Sequence, residues 1–275
     1  MIPKVIHYCW FGKKKKPKLT EKCIKNWRTF CPEYEIIEWN EENCDFAAAP
    51  LFVRQAIEQK KWAFAADYFR MKIVYEHGGI YLDTDVELLR SLDAVLDNKV
   101  FFGFQQPDQI ASGLGFGAEK HAEILREIMA EYQSVPFLRD DGTMDTTPCP
   151  VRETAVMRRH GMQPDGSEQL LPGGIRLYPV PVFCPIDMTH TRSCCSEETI
   201  SIHWFAASWW KNAPIRNCIG AKRYHRMMGV LKRAGCRILG NERFERLKKR
   251  LKRRQTEFSK HGYGKAISDD DHIGA

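Results

Sequence analysis

The sequence predicts an α/β fold with a largely parallel central sheet. Short apolar segments alternate with longer amphipathic segments through the first hundred residues, which is the order that gives parallel sheets covered by helices. Gly- and Pro-containing turns separate these segments. A hydrophobic fraction of 43% in 275 residues is enough to fill the core of one large domain.

Each element follows from its local pattern. The predicted strands, in order, lie at residues 5–8, 34–39, 80–82, 100–104, 115–118, 177–180 and 199–204. The predicted helices occupy residues 20–30, 50–59, 62–77, 122–132 and 153–159. Thr20 is the expected N-cap of the first helix, and Pro50 stands at the start of the second. Apolar residues recur at helical spacing through 62–77, and Gly78-Gly79 ends that helix.

Two carboxylates follow the buried strand at residues 80–82. Asp83 and Asp85 flank Thr84, and ligands of open α/β sheets bind beyond the carboxyl ends of the strands. Carboxylate oxygens suit Mg²⁺ or Mn²⁺, which proteins usually hold together with substrate phosphates. Asp85 is the first predicted metal ligand, whereas Asp83 contacts the ribose or sugar, or the metal through water.

A second charged pair lies in the preceding helix. Asp67 and Arg70 are three residues apart and share a helix face, among Ala, Phe, Tyr and Ile neighbours. Buried charges need partners. A sugar hydroxyl or a diphosphate is a fitting partner for this pair.

Together these motifs resemble glycosyltransferase family 32, the sugar-binding region containing a DXD motif. That family includes capsular-polysaccharide enzymes and initiating mannosyltransferases, and it is distantly similar to the glucosyltransferase domains of the large clostridial toxins. The similar segments are Ala65-Ala66-Asp67-x-x-Arg70, residues 78–85, the opening strand at 2–12 and the closing segment at 202–209. They are dispersed over about residues 1–212.

The resemblance implies a GT-A-like, single Rossmann-type nucleotide-sugar-binding domain with a mostly parallel sheet and helical additions. It further implies a metal-dependent retaining transferase that moves a hexose from a UDP- or GDP-sugar to a glycan or lipid-linked saccharide, in surface or capsular polysaccharide synthesis. A divalent ion, Mn²⁺ or Mg²⁺, is the expected cofactor. The family retains the configuration of the anomeric carbon. Because no obvious carboxylate nucleophile stands out in this sequence, front-face attack by the acceptor is favoured.

Residue roles follow from the same resemblance. Trp10 would stack on the nucleotide base, and Trp209 would cover the diphosphate. Asp67 and Arg70 would hold the sugar hydroxyls. The expected catalytic residues are Asp67, Arg70, Asp83 and Asp85; the donor-binding residues are Trp10, Asp67, Arg70, Asp83, Ser208 and Trp209; the metal ligands are Asp85, Asp83, His203 and Ser208.

The charge of the chain is concentrated near its end. Residues 221–275 hold 16 Lys and Arg against 6 Asp and Glu, a net of +10, so the rest of the +7 chain carries −3. Phe244, Leu247 and Leu251 form a thin apolar stripe in a basic helix, which is typical of contact with an anionic membrane. A solvated helix packed on the domain explains the same pattern. Nucleic-acid binding is not expected, because the segment has almost no aromatic residues to stack on bases.

These patterns divide the chain into a transferase domain over 1–220, a basic helical extension over 221–264 and a disordered tail over 265–275. No apolar run could span a membrane and no signal peptide is recognisable, so a cytoplasmic protein is expected, with peripheral attachment to the inner face of the membrane as a further expectation. Two other functions are open: a metal-dependent nucleotidyl- or phosphotransferase using the same two aspartates, and a non-catalytic basic adaptor.

Overall fold

A computed structural model describes residues 1–187 and 193–206 of the chain. Its strands are β1 Val5–Cys9, β2 Glu35–Trp39, β3 Gly79–Tyr81, β4 Val86–Leu88, β5 Val100–Gln106, β6 Gln109–Ile110, β7 Phe116–Ala118, β8 Gln169–Leu171, β9 Ile175–Tyr178 and β10 Ser201–His203. Its helices are α1 Lys18–Phe30, α2 Leu51–Glu58, α3 Trp62–His77, α4 Glu123–Ala130, α5 Cys149–Arg159 and α6 Val180–Phe183. Short 3-10 helices lie at Leu92–Val95 and Ser112–Leu114.

The main sheet has the order β2-β1-β3-β7-β5-β9-β8, with β6 paired to β5. Strands β1, β2, β3, β5 and β9 run in one direction, and β6, β7 and β8 run against them. The predicted α/β class with a mostly parallel sheet is confirmed. The antiparallel β7 between β3 and β5 makes the sheet mixed.

A second, two-stranded sheet pairs β4 with β10 in antiparallel register. Helix α1 holds the other side of β4 with side chains. Asn26 accepts the N–H of Leu88 at 2.7 Å and donates to its carbonyl at 3.1 Å, while the indole of Trp27 donates to the carbonyl of Val86 at 2.8 Å. Strand β4 is therefore fixed on both edges, directly after Asp83 and Asp85.

Helix α3 crosses the centre of the core and packs against α2, α4 and β1. Most of its length is buried, which is why charged residues on it cannot all reach solvent. Gly78 ends the helix with a φ of 68° and donates its N–H to the carbonyl of Val74 at 2.8 Å. The predicted helix over 62–77 and its glycine stop are confirmed.

Several local predictions were wrong. Thr20 is not an N-cap, because α1 begins two residues earlier after Pro17 and has no side-chain cap; the fixed φ of proline already suits a helix start. The third strand ends at Tyr81, one residue before its predicted end, and the predicted single strand at 199–204 is reduced to three residues. Strands β4 and β8 were missed since three residues give no readable periodicity.

Within the described ranges, no helix is both long enough and apolar enough to cross a bilayer. The proposed domain boundary at 220, the basic extension at 221–264 and the tail at 265–275 lie outside the described residues.

Candidate functional site

The carboxyl ends of β1, β2 and β3 share one edge of the sheet because these strands are parallel. His7 of β1 fixes the turn that leads into β3. It is fully buried, its Nε2–H donates to the carbonyl of Gly78 at 2.9 Å, and its Nδ1 accepts from Trp39 at 3.1 Å. Burial lowers the pKa of His7 to about 4, so the ring is neutral. A Cβ on Gly79, whose φ is +103°, would lie 2.9 Å from the His7 ring.

Asp83, Asp85 and His203 meet just beyond β3. One ligand atom from each lies within 4.8 Å of the others. His203 arrives through strand pairing, since it is opposite Val86 in the β4–β10 ladder. Its Nε2 is 3.1 Å from Oδ1 of Asp85. The fold thus brings His203 to the two aspartates, as predicted, although Asp85 is 118 residues away in sequence.

Two backbone N–H groups from the segment just after β10 hold Asp85. Its Oδ2 accepts the backbone N–H of Ala206 at 2.5 Å, and its own carbonyl accepts the N–H of Trp204 at 3.0 Å. Burial alone would raise the pKa of Asp85, but His203 and the Ala206 N–H bring it below its ordinary value. Burial likewise opposes a charge on His203, yet Asp85 raises the pKa of the imidazole.

Arg70 connects α3 to this group. Its Nη2 lies 3.0 Å from Oδ1 of Asp67 and 3.2 Å from Oδ1 of Asp83, and its guanidinium stands 5.1 Å from the ring centre of Tyr81. Asp67 and Arg70 are only 8% and 5% exposed, so they are not a surface ion pair. Burial raises the pKa of both Asp67 and Asp83, although Arg70 opposes that rise.

The segment before β7 reaches the same edge because β7 is antiparallel to β3. Gly113 there packs so closely that a Cβ would lie 2.5 Å from Oδ2 of Asp83. The neighbouring Ser112 accepts from Nη1 of Arg70 at 3.1 Å. Ser112 is bound in turn by Glu153 of α5, at 2.8 Å through its N–H and 2.5 Å through its hydroxyl.

Sequence reasoning missed Ser112, Gly113 and Glu153. The one available signal was the Gly115-Phe116-Gly117-Ala118 segment, which was predicted as a strand near the site. Nothing local marked Glu153 as buried, since an acidic residue in an amphipathic helix is typical of a solvated face.

Trp10 lies at the end of β1, where it was predicted, and borders an open cleft of about 280 Å³. The cleft is also lined by Lys13, Glu38, Asn40, Glu41 and Glu42. The indole N–H of Trp10 donates to the carbonyl of Lys14 at 2.7 Å, and Lys16 stands 5.7 Å from the ring centre while pairing with Glu38 at 2.6 Å. The ion pair between Lys16 and Glu38 thus holds the loop that follows β1 beside the indole.

The structure brings together Asp67, Arg70, Asp83, Asp85 and His203 at one edge of the sheet. Trp10 lies at the same strand ends, beside its own cleft. Ser208 and Trp209, the other two predicted site residues, lie outside the described residues.

The side chains of Asp83, Asp85 and His203 could together bind a divalent metal ion. The two carboxylates are suitable ligands for Mn²⁺ or Mg²⁺, and the imidazole offers one nitrogen ligand beside them. The buried Nε of Arg70 and Nδ1 of His203 have no hydrogen-bond partner among the described residues, which is costly and typical of a site that a ligand completes. Asp85 and His203 are already hydrogen-bonded to each other. A bound ion would therefore replace the proton that they share.

Parts of this chain are similar in sequence to known proteins. Residues 17–102 match the family described as "Glycosyltransferase sugar-binding region containing DXD motif". Inositol phosphoceramide mannosyltransferase 3 of Schizosaccharomyces pombe is 32% identical over 133 residues, which are 46% of this chain and 36% of the relative. The chain therefore spans about a third of the length of that curated relative.

Two solved structures are partly similar to this chain in backbone structure, at low sequence identity. The PaToxG glycosyltransferase is 16% identical with a TM-score of 0.46, over 57% of this chain and 68% of its own. A glycosyltransferase involved in the glycosylation of the major capsid of PBCV-1 is 13% identical with a TM-score of 0.41, over 82% of this chain and 99% of its own.

Proposed function

We propose that this chain, which carries the glycosyltransferase sugar-binding region containing a DXD motif over residues 17–102, is a metal-dependent retaining hexosyltransferase. Its donor would be a UDP- or GDP-hexose. The observation that carries the proposal is the junction of two groups at one sheet edge: the Asp83–Asp85–His203 set and the buried Asp67–Arg70 pair.

The two groups match the two halves of a nucleotide sugar. Asp83, Asp85 and His203 would hold Mn²⁺ or Mg²⁺, which as a Lewis acid neutralises the charge of a departing diphosphate. Asp67 would accept hydrogen bonds from sugar hydroxyls, and Arg70 would donate to them. Ser208 and Trp209 are further proposed donor contacts on the sequence resemblance alone.

Trp10 would bind the nucleotide base. Its partly exposed indole lies at the strand ends beside the cleft, and the ion pair between Lys16 and Glu38 keeps the following loop next to it. A flat aromatic face stacks on any base, so uridine and guanosine donors are both compatible with it.

The proposed reaction keeps the configuration of the anomeric carbon. Asp67 and Asp83 both pair with Arg70, and Asp85 is occupied by His203 and Ala206. None of the three carboxylates is left free to act as a nucleophile, which supports front-face attack by the acceptor hydroxyl.

A donor screen tests the proposal. We expect the chain to hydrolyse one of UDP-glucose, UDP-galactose or GDP-mannose slowly in Mn²⁺ and to stop in EDTA, since water can replace the acceptor. Release of nucleoside diphosphate is the measurement. Hydrolysis of none of these donors, or equal rates with and without chelator, would reject a metal-dependent transferase of this donor class.

The acceptor is proposed to be a glycan or a lipid-linked saccharide of surface polysaccharide synthesis. The fission-yeast relative is named for mannosyl transfer to a phosphoceramide, which is consistent with an acceptor at a membrane. We place the chain in the cytoplasm, at the inner face of the membrane when bound.

The basic segment at 241–260, which lies outside the described residues, would supply membrane contact. It holds nine basic and three acidic residues, and each basic group near an anionic surface contributes about 1 kcal/mol. We expect binding to anionic vesicles to fall steeply between low and physiological salt, where the Debye length is about 8 Å. Truncation after Gly240 should abolish vesicle flotation and spare hydrolysis of the soluble donor; unchanged flotation would mean that the segment does not bind membrane.

A further inference from the structure

Ser112 is placed between a buried acid and the arginine of the donor site. Its hydroxyl donates to Oε1 of Glu153 at 2.5 Å and accepts from Nη1 of Arg70 at 3.1 Å. Its backbone N–H donates to Oε2 of Glu153 at 2.8 Å. Ser112 and Glu153 are both 0% exposed, so water competes for none of these bonds.

The direction of each bond is fixed by chemistry. Arg70 has only donors, so the Ser112 oxygen must accept from it and the single hydroxyl proton must point elsewhere. Glu153 supplies the acceptor for that proton and uses its second oxygen for the Ser112 N–H. The acid therefore determines that the lone pairs of the hydroxyl face the guanidinium.

Arg70 makes four polar contacts. Asp67 and Asp83 bind Nη2, while Nη1 donates to the hydroxyl of Ser112 at 3.1 Å and to the sulfur of Cys149 at 3.7 Å. The two aspartates are proposed to contact ligands themselves, whereas Ser112 and Glu153 are wholly enclosed. The Cys149 sulfur is a weak acceptor, so Ser112 supplies the strong contact that is independent of what the site binds.

We propose that Glu153 and Ser112 are a positioning pair that holds the Arg70 guanidinium in the orientation needed to grip the donor sugar. The inference rests on the proposed function, since it assigns Arg70 to the sugar half of the donor. It gives a role to a buried acidic residue on α5, 83 residues beyond Arg70 in sequence.

Two variants break the pair without removing Arg70. Ser112→Ala deletes the linking hydroxyl. Glu153→Gln keeps the side-chain volume, but its amide would donate to the Ser112 oxygen and turn the hydroxyl proton toward Arg70. The probes are UDP-glucose, UDP-galactose and GDP-mannose, each compared with its free UDP or GDP by calorimetry.

We expect each variant to weaken binding of the intact nucleotide sugar about tenfold, the size of one lost hydrogen bond to a charged group. Binding of the free nucleoside diphosphate should change less than about twofold. The double variant should lose no more than the weaker-binding single variant, because the two residues act through one contact.

Thr154→Val is the matched control. Thr154 follows Glu153 on α5 and also holds the segment before β7, accepting the N–H of Ile110 at 3.2 Å, but it makes no contact with Arg70. It should lower the unfolding temperature and leave both affinities unchanged. Equal losses for sugar and free nucleotide, additive losses in the double variant, or a selective loss in Thr154→Val would overturn the positioning role.

The same data separate this inference from the proposed function. If the unmodified chain binds none of the three nucleotide sugars better than the corresponding free nucleotide, the donor assignment fails, and the positioning role with it. If it does bind one better and Ser112→Ala preserves that preference, only the positioning role fails.

Discussion

Asp85→Asn is expected to lower metal-dependent turnover about a thousandfold or more. A bound divalent ion of this kind contributes several kcal/mol to the transition state, and each 1.36 kcal/mol is about a factor of ten in rate. Asparagine keeps the shape of the side chain but removes the charge that faces His203 at 3.1 Å. Release of nucleoside diphosphate in Mn²⁺ measures the loss.

A second readout follows the ion without catalysis. Mn²⁺ should raise the unfolding temperature of the unmodified chain, because a ligand that binds only the folded state stabilises it, and this rise should vanish in Asp85→Asn. Asp85 also holds the N–H of Ala206, so the variant is expected to be somewhat less stable in the absence of metal.

Glu87→Gln separates that loss of stability from loss of the ion. Glu87 lies two residues further along β4 and accepts from the indole of Trp204 at 2.7 Å, so it joins the same two segments without belonging to the metal set. It should lose stability and keep the Mn²⁺ response. Near-normal turnover in Asp85→Asn, or full activity of the unmodified chain in EDTA, would exclude Asp85 as a metal ligand.

Asp67→Ala is expected to weaken binding of the nucleotide sugar by about 1.5–3 kcal/mol, the contribution of a hydrogen bond to a charged group. This corresponds to roughly a 10- to 150-fold increase in Kd. Binding of free nucleoside diphosphate should be almost unchanged, because Asp67 is assigned to the sugar and not to the phosphates. Calorimetry with both ligands measures the difference.

Asp145→Ala is the control for removal of a buried acid. Asp145 pairs with Arg152 at 2.7 Å, and both are 9% exposed or less, but Asp145 makes no contact with Arg70. It should destabilise the fold and leave the preference for nucleotide sugar intact. If Asp67→Ala weakens both ligands equally, Asp67 is a structural partner of Arg70 and has no part in sugar recognition.

The elements that sequence reasoning located best are those with long periodic patterns. Helix α3 and its glycine stop were predicted to the residue, because sixteen residues of helical spacing followed by Gly78-Gly79 leave few alternatives. The position of Asp83 and Asp85 at a strand end followed from the same order. His203 was found only through the family resemblance, since a single histidine in an apolar segment has no signal of its own.

Contacts between distant elements could not be predicted. Glu153 is 41 residues from Ser112, and its burial depends on how α5 packs against the segment before β7, which no local pattern records. Strand β4 was missed because its three residues are stabilised by Asn26 and Trp27 of α1 and by β10, not by their own propensity.

The pairing of β10 with β4 has a consequence for the order of folding. All described strands of the main sheet precede β10 in the chain, and His203 is the last member of its set to emerge during synthesis. Opening of the three residue pairs of this small sheet would remove His203 from Asp85 and leave every pairing of the main sheet intact. Local openings of this kind cost less than global unfolding. A divalent ion bound by His203 of β10 and by Asp83 and Asp85 just before β4 would oppose such an opening by mass action, so slowed hydrogen exchange at the amides of residues 201–203 would report its occupancy.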